Sequence, residues 1–249
     1  MTQIIMSHLG RSGSTVIAQL LGAHSEICWL NEVFTLHEDR TSSRLSHNAT
    51  ELAHLIERYA AQQCQSPVKF VGYEIKLINF LHNPKCSLID FVRAAESAQG
   101  CKVVILSRKN VLRRLMSSAK AASSRVYHSN QADRSYSDFQ YSVSVDDFHD
   151  FDTGIKGDIA SVMRRALARE AEIIDNYRRL GIETLHISYE EDVEPSPMIA
   201  YGKILEFVGL QAEPAATSLK KTSRPLKEEI SNYAELSDAL AGTEFADML

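Results

Sequence analysis

The chain has 249 residues, of which 44% are hydrophobic and 24% charged, and its formal net charge is −5. That is enough apolar material for one large domain or two small ones with a sizeable core, and it excludes wholesale disorder. The acidic balance excludes a general nucleic-acid coat and a basic membrane binder, since both carry a positive excess.

Cys28, Cys64, Cys86 and Cys101 are scattered, with no CxxC pair. This argues against a disulfide scaffold and a structural zinc site, and reads as free thiols in a reducing compartment. The start, MTQIIMSHLGRSGST, has no basic leader region. No window reaches the roughly 18–20 apolar residues of a membrane span. The expectation is a soluble, cytoplasmic protein with no integral membrane segment.

In chain order, residues 2–7 form a short β-prone run that breaks at His8-Leu9-Gly10, and Val16, Leu20 and Leu21 then take up helical spacing. Residues 27–30 are a second apolar run. Leu52, Leu55, Ile56 and Tyr59 make an amphipathic helical stripe, 68–75 is strand-like, and 88–95 is helical. KVVILS at 102–107 is a continuous apolar run of the kind buried on both faces of a parallel sheet. A helix begins near Asn110. Residues 123–152 are rich in Ser, Asp, Gln and aromatics without a clear period, and read as a loop with short elements. Asp158 caps a long helix reaching about Tyr177. Residues 184–188 form a strand, 197–208 a helix, and the tail from 218 is first basic and later helical. Alternating strands and helices predict one α/β domain over 1–249, with a central, mainly parallel sheet flanked by helices.

Between the first strand and its helix lies GRSGST, residues 10–15. Backbone N–H groups in such a loop, backed by a helix N-terminus, make an anion cradle. Arg11 adds a charged fork, and Ser14 and Thr15 add hydroxyls. Against the nucleotide P-loop pattern GxxxxGK[ST], the Lys position is Ser14 and the first Gly position is His8, which disfavours an ATP or GTP enzyme with bound Mg²⁺. A second constellation follows the 102–107 strand: Arg108 stands at its carboxyl end, the edge where ligands bind in open α/β sheets, and Ser117 lies nine residues on. The dipeptides Arg113-Arg114 and Arg164-Arg165 read as solvated helix faces.

These residues resemble the sulfotransferases that use 3′-phosphoadenosine 5′-phosphosulfate (PAPS). RSGST at 11–15 is similar to their 5′-phosphosulfate loop, and Arg108 with Ser117 is similar to their 3′-phosphate motif. The tail KKTSRPLKEEISNYAELSDALAGTEFADML at 220–249 resembles bacterial carbohydrate-type members. The resemblance implies a P-loop-like fold, PAPS as donor and PAP as product, and no metal. It implies that Arg11, Ser12, Gly13, Ser14 and Thr15 hold the 5′-phosphate, that Arg108 and Ser117 hold the 3′-phosphate, and that Lys220, Lys221 and Arg224 cover the nucleotide within a C-terminal segment 218–249. Glu32, in WLNEVF, is implied as general base, Arg11 and Lys76 as stabilisers of the transferring group. His8, His128 and His149 are the other candidate bases, with loop packing the expected role of His8. Lys76 is followed by Leu77, so the Lys-Thr-His of the small-molecule members is absent, which favours a carbohydrate or small glycosylated acceptor.

Segment 123–157, carrying Arg125, Tyr127, His128, Arg134, Tyr136, Phe139 and Tyr141, suits either an acceptor-side loop or lid, or a loop packed on itself. The net charge limits the acceptor rather than the donor. A small nucleotide reads a local pocket, whereas a highly sulfated or phosphorylated polymer reads the whole acidic surface. The alternatives are a degenerate P-loop kinase or NTPase and a non-catalytic nucleotide-binding module.

Overall fold

A computed structural model describes residues 1–34, 47–64, 68–80, 83–126, 139–217, 219 and 224–249. They form two compact units: residues 1–107 with 172–217, and residues 108–171 with 218–249.

The first unit is built on five parallel strands, β1 (Thr2–His8), β2 (Ile27–Glu32), β3 (Phe70–Lys76), β4 (Cys101–Ser107) and, in the order of this unit's sheet, a last strand Thr184–Ser188. The strand order is β2-β3-β1-β4-(184–188), with β1 in the centre. The chain therefore crosses β1 between β3 and β4, and the carboxyl end of β1 lies at the switch point where open α/β sheets bind ligands.

Period-two alternation divides the core. Ile5, Val103, Ile105, Val71, Tyr73 and Ile75 face one apolar layer, against helices α2 (Ala49–Gln63) and α3 (Leu88–Gln99). Ile4, Met6, Val104 and Leu106 face the other, against α1 (Ser14–Gly22) and helix Pro197–Val208. Burial on both faces explains why KVVILS lacks polar alternation. Gly72 in β3 is required by packing, since a Cβ there would stand 2.2 Å from the Trp29 ring. Asn48 and Ser87 start α2 and α3 with reciprocal capping boxes to Glu51 and Asp90.

In the second unit, helix α4 (Val111–Ser124) and the first half of helix α5 (Ile159–Arg179) pack with the tail helices α7 (Leu226–Glu229) and α8 (Tyr233–Leu240) around Leu112, Leu115, Val162, Met163, Leu236 and Leu240; α6 denotes Pro197–Val208 of the first unit. Asn110 and Asp158 accept from the N–H groups of Arg113 and Ser161, the N-cap bonds that start α4 and α5. A two-stranded antiparallel pair, β5 (Phe148–His149) and β6 (Lys156–Gly157), precedes α5, which makes Thr184–Ser188 strand β7. The described part of the 123–157 segment contributes core: Tyr141, Val143, Val145 and Phe148 are buried, and the Tyr141 hydroxyl donates to the Met116 carbonyl at 2.8 Å.

Two sequence expectations need correction. Cys28 and Cys64 are joined in a disulfide, while Cys86 and Cys101 are free and buried. The pair lies 36 residues apart, and only the seating of α2 against β2 brings the two sulfurs together. Arg114 is not on a solvated face: it is buried and donates to Asp150 at 2.7 Å, because α4 is enclosed by the second unit's core. Arg164 and Arg165 are exposed. Among the described residues no helix is long and apolar enough to cross a membrane.

Candidate active site

The loop after β1 reverses the chain through left-handed backbone. Gly10, Arg11 and Gly13 have φ of 98°, 55° and 84°. For Arg11 that conformation carries a steric cost of order 1 kcal/mol or more, which the surrounding loop must hold in place. Gly13 has a second constraint, since a Cβ would meet Tyr189 at 3.0 Å and Val193 at 3.1 Å. The loop is thus a Gly-rich turn, and Ser14 opens α1 with no acidic residue in the first turn. Its N–H groups and helix dipole favour an anion.

The hydroxyls of the loop have partners within the protein. Ser12 Oγ donates to the Gly10 carbonyl at 3.1 Å. Ser14 is hydrogen-bonded to the buried carboxylate of Glu74, a residue absent from the sequence reading. His8, considered as a base, lies buried beneath the loop, 3.1 Å from Glu74. The missed signal was a single Glu inside the apolar run VGYEI: a buried acid in a central strand requires partners.

Glu32 and Lys76 come together at the carboxyl ends of β2 and β3, with Lys76 Nζ 2.5 Å from Glu32 Oε1. Both remain partly exposed. One extra residue in β2 aims Glu32. Trp29 pairs with Gly72, but Glu32 pairs with Glu74, and Asn31 inside this bulge has φ 57°. His8 pairs with Lys76 across β1 and β3, so the loop, Lys76 and Glu32 share one sheet edge. That arrangement holds a carboxylate acceptor and an ammonium beside an anion cradle, the components of proton removal next to charge stabilisation.

In the second unit, Arg108 lies three residues before the start of α4, and both Arg108 and Ser117 are half-buried. Arg113, Ser117 and Lys120 share a face of α4 at i, i+4 and i+7. The Arg224 backbone is tied to that face: its N–H donates to Glu229 Oε1 at 3.0 Å, its carbonyl accepts from Arg113 Nη1 at 2.6 Å, and Glu229 is itself paired with Lys120 at 2.8 Å. Lys220 and Lys221 lie outside the described residues, as does His128. The His149 ring lies tilted against Phe151, and burial followed by the Lys156 charge lowers its pKa. Among the described residues there is no group of three or more His, Cys, Asp or Glu that could hold a metal ion.

No protein-family model and no curated protein matches the chain. Among solved structures, the fold is similar to the crystal structure of a sulfotransferase from Alicyclobacillus acidocaldarius, with a TM-score of 0.53 and 13% identity, covering 100% of this chain and 92% of that one. The protein therefore has the P-loop-like α/β fold in which that sulfotransferase is built, a parallel five-stranded sheet flanked by helices.

Proposed function

We propose that the protein is a PAPS-dependent sulfotransferase acting on a hydroxyl of a carbohydrate or small glycosylated metabolite. The observation that carries this reading is the placement of the 10–15 loop and the Glu32–Lys76 pair on one edge of a sulfotransferase-like sheet. Glu32 takes the proton of the acceptor hydroxyl. The acceptor oxygen then forms a bond to sulfur in line with the breaking bond between sulfur and the 5′-phosphate oxygen, leaving PAP. Arg11 and Lys76 face the charge that develops on the leaving phosphate and the moving sulfuryl group, so most of the catalysis is positioning and electrostatic. The N–H groups of Ser12, Gly13, Ser14 and Thr15 hold the 5′-phosphate, a role that leaves the Ser14 hydroxyl on Glu74. For the 3′-phosphate we propose Arg108 and Ser117, and for the nucleotide cover Lys220, Lys221 and Arg224. Residues 123–157 are proposed to contribute to the acceptor side.

Thermal unfolding with PAP, ATP–Mg²⁺ and NAD separates this reading from a degenerate kinase. PAP at a hundredfold excess over its Kd should stabilise the protein by about 2.7 kcal/mol without metal. Stabilisation by ATP–Mg²⁺ with none by PAP would replace the proposal with the kinase reading. Transfer of labelled sulfate from PAPS across a panel of sugar and phenol acceptors then identifies the acceptor class, and tight PAP binding without any transfer would favour a non-catalytic module.

A further inference from the structure

The buried network beneath the loop has a defined direction. The Gly10 N–H can only donate, and it points at His8 Nδ1 at 3.0 Å. Nδ1 is therefore the acceptor, and the His8 proton sits on Nε2, which donates to Glu74 Oε2 at 3.1 Å. The ionised Glu74 carboxylate can only accept, so the Ser14 hydroxyl donates to it as well. One buried carboxylate thus reaches the first glycine of the loop through His8 and the first residue of α1 directly. Between those two anchors lie Arg11 and Gly13, the left-handed positions that the chain would leave most readily if the loop were unsupported. Burial pushes the Glu74 carboxyl up, but the hydrogen bond from His8, with the Ser14 bond and the nearby Lys76 charge, opposes it, and the group lies below the ordinary range.

We propose that His8 and Glu74 are positioning residues that hold the 10–14 loop in its anion-binding conformation before any ligand arrives, without touching the ligand; for the donor this rests on the sulfotransferase reading. The role is specific to His8 Nδ1 as the acceptor for Gly10. An Asn at position 8 places a short carbonyl two residues before the same N–H, as in an Asx turn, and should replace that bond. Ala removes it, and Gln fills the space but carries its carbonyl one methylene beyond the Nδ1 position.

The test measures amide hydrogen exchange of the 9–15 segment and PAP affinity by calorimetry for wild type, His8→Ala, His8→Asn and His8→Gln. In His8→Ala, exchange in that segment should accelerate and PAP affinity should fall by about 10-fold to 100-fold. His8→Asn should recover most of both. In turnover, KM for PAPS should rise more than kcat falls. If His8→Ala does not fold, His8→Gln against His8→Asn makes the same comparison. Unchanged exchange and affinity in His8→Ala, or an Asn variant no better than Ala or Gln, would overturn the positioning role. Loop exchange that responds as expected in a protein with no affinity for PAP would keep the positioning role and remove the donor assignment instead.

Discussion

The Lys76–Glu32 pair on the sheet edge of the first unit and the Arg114–Asp150 pair inside the second have N–O distances of 2.5 Å and 2.7 Å, so length does not distinguish them. Solvent does. The first pair is 19% and 25% exposed at its side chains, the second 3% and 0%. A partly solvated pair contributes little to stability, because water screens it and hydrates either partner alone. A buried pair costs desolvation of both ions, and losing one partner strands the other in a low-dielectric interior. The proposed function puts chemistry on the first pair, and burial makes the second architectural. Asp150 also accepts from Thr153 Oγ1 at 2.5 Å and from the Asp152 N–H at 3.1 Å, and anchors the turn before β6.

The largest effect expected is on catalysis. Glu32→Gln removes the proposed proton acceptor and should lower turnover by about 10²–10⁴-fold, equivalent to roughly 3–5.5 kcal/mol in the barrier. PAP affinity should stay near wild type, and the urea midpoint should move by no more than a surface substitution does, about 0.5 kcal/mol. A stable Glu32→Gln enzyme with full turnover breaks the assignment of chemistry to this pair, and a marked loss of stability places Glu32 with Asp150 as a structural carboxylate.

Asp150→Ala comes next. It should destabilise the fold by about 3–5 kcal/mol, the usual result of stranding a buried charge. Arg114 Nη1 is already buried with no hydrogen-bond partner among the described residues, so the guanidinium has little to fall back on. Urea unfolding of Asp150→Ala, Arg114→Met and the double variant measures the coupling. The double variant should be more stable than Asp150→Ala alone. A double variant that merely sums the two losses would show that Asp150 matters for its turn rather than for Arg114.

The sequence made the sheet legible because its central strands carry short apolar runs, such as IIM in β1 and VVIL in β4, and the loop stood out as a Gly-containing break between strand and helix. Helix 197–208 and strand 184–188 match the expected bounds. What escaped was set by partners distant in the chain. Arg114 looks like half of a solvated dipeptide until α4 is enclosed. Cys28 and Cys64 look unrelated until α2 lies on β2. The bulge at Asn31 that aims Glu32 leaves no mark in WLNEVF, since a one-residue register shift is a property of two strands together. The candidate site was legible only as an inventory of charges and glycines. Its supporting layer was not, because His8 and Glu74 are 66 residues apart and meet through strand pairing.

A third pair sets the lower bound. Arg164 grips Glu244 with two bonds, of 2.7 Å and 2.9 Å, on the open surface of the second unit, where the side chains are 50% and 54% exposed. The Arg164 hydrogen bond comes first among the causes that push the Glu244 carboxyl down to about 2. Because the folded state lowers this pKa, the pair favours folding at pH values above the ordinary glutamate range, near 4.3. That contribution disappears as pH falls toward 2. Arg164→Gln should therefore lower the thermal midpoint slightly at pH 7, and the difference from wild type should shrink as the pH drops. It should also fade in 1 M NaCl, where the screening length is about 3 Å. Asp150→Ala should keep its full effect in the same salt, because ions do not enter the interior. If salt weakened the two variants' effects equally, burial would not be what separates the pairs.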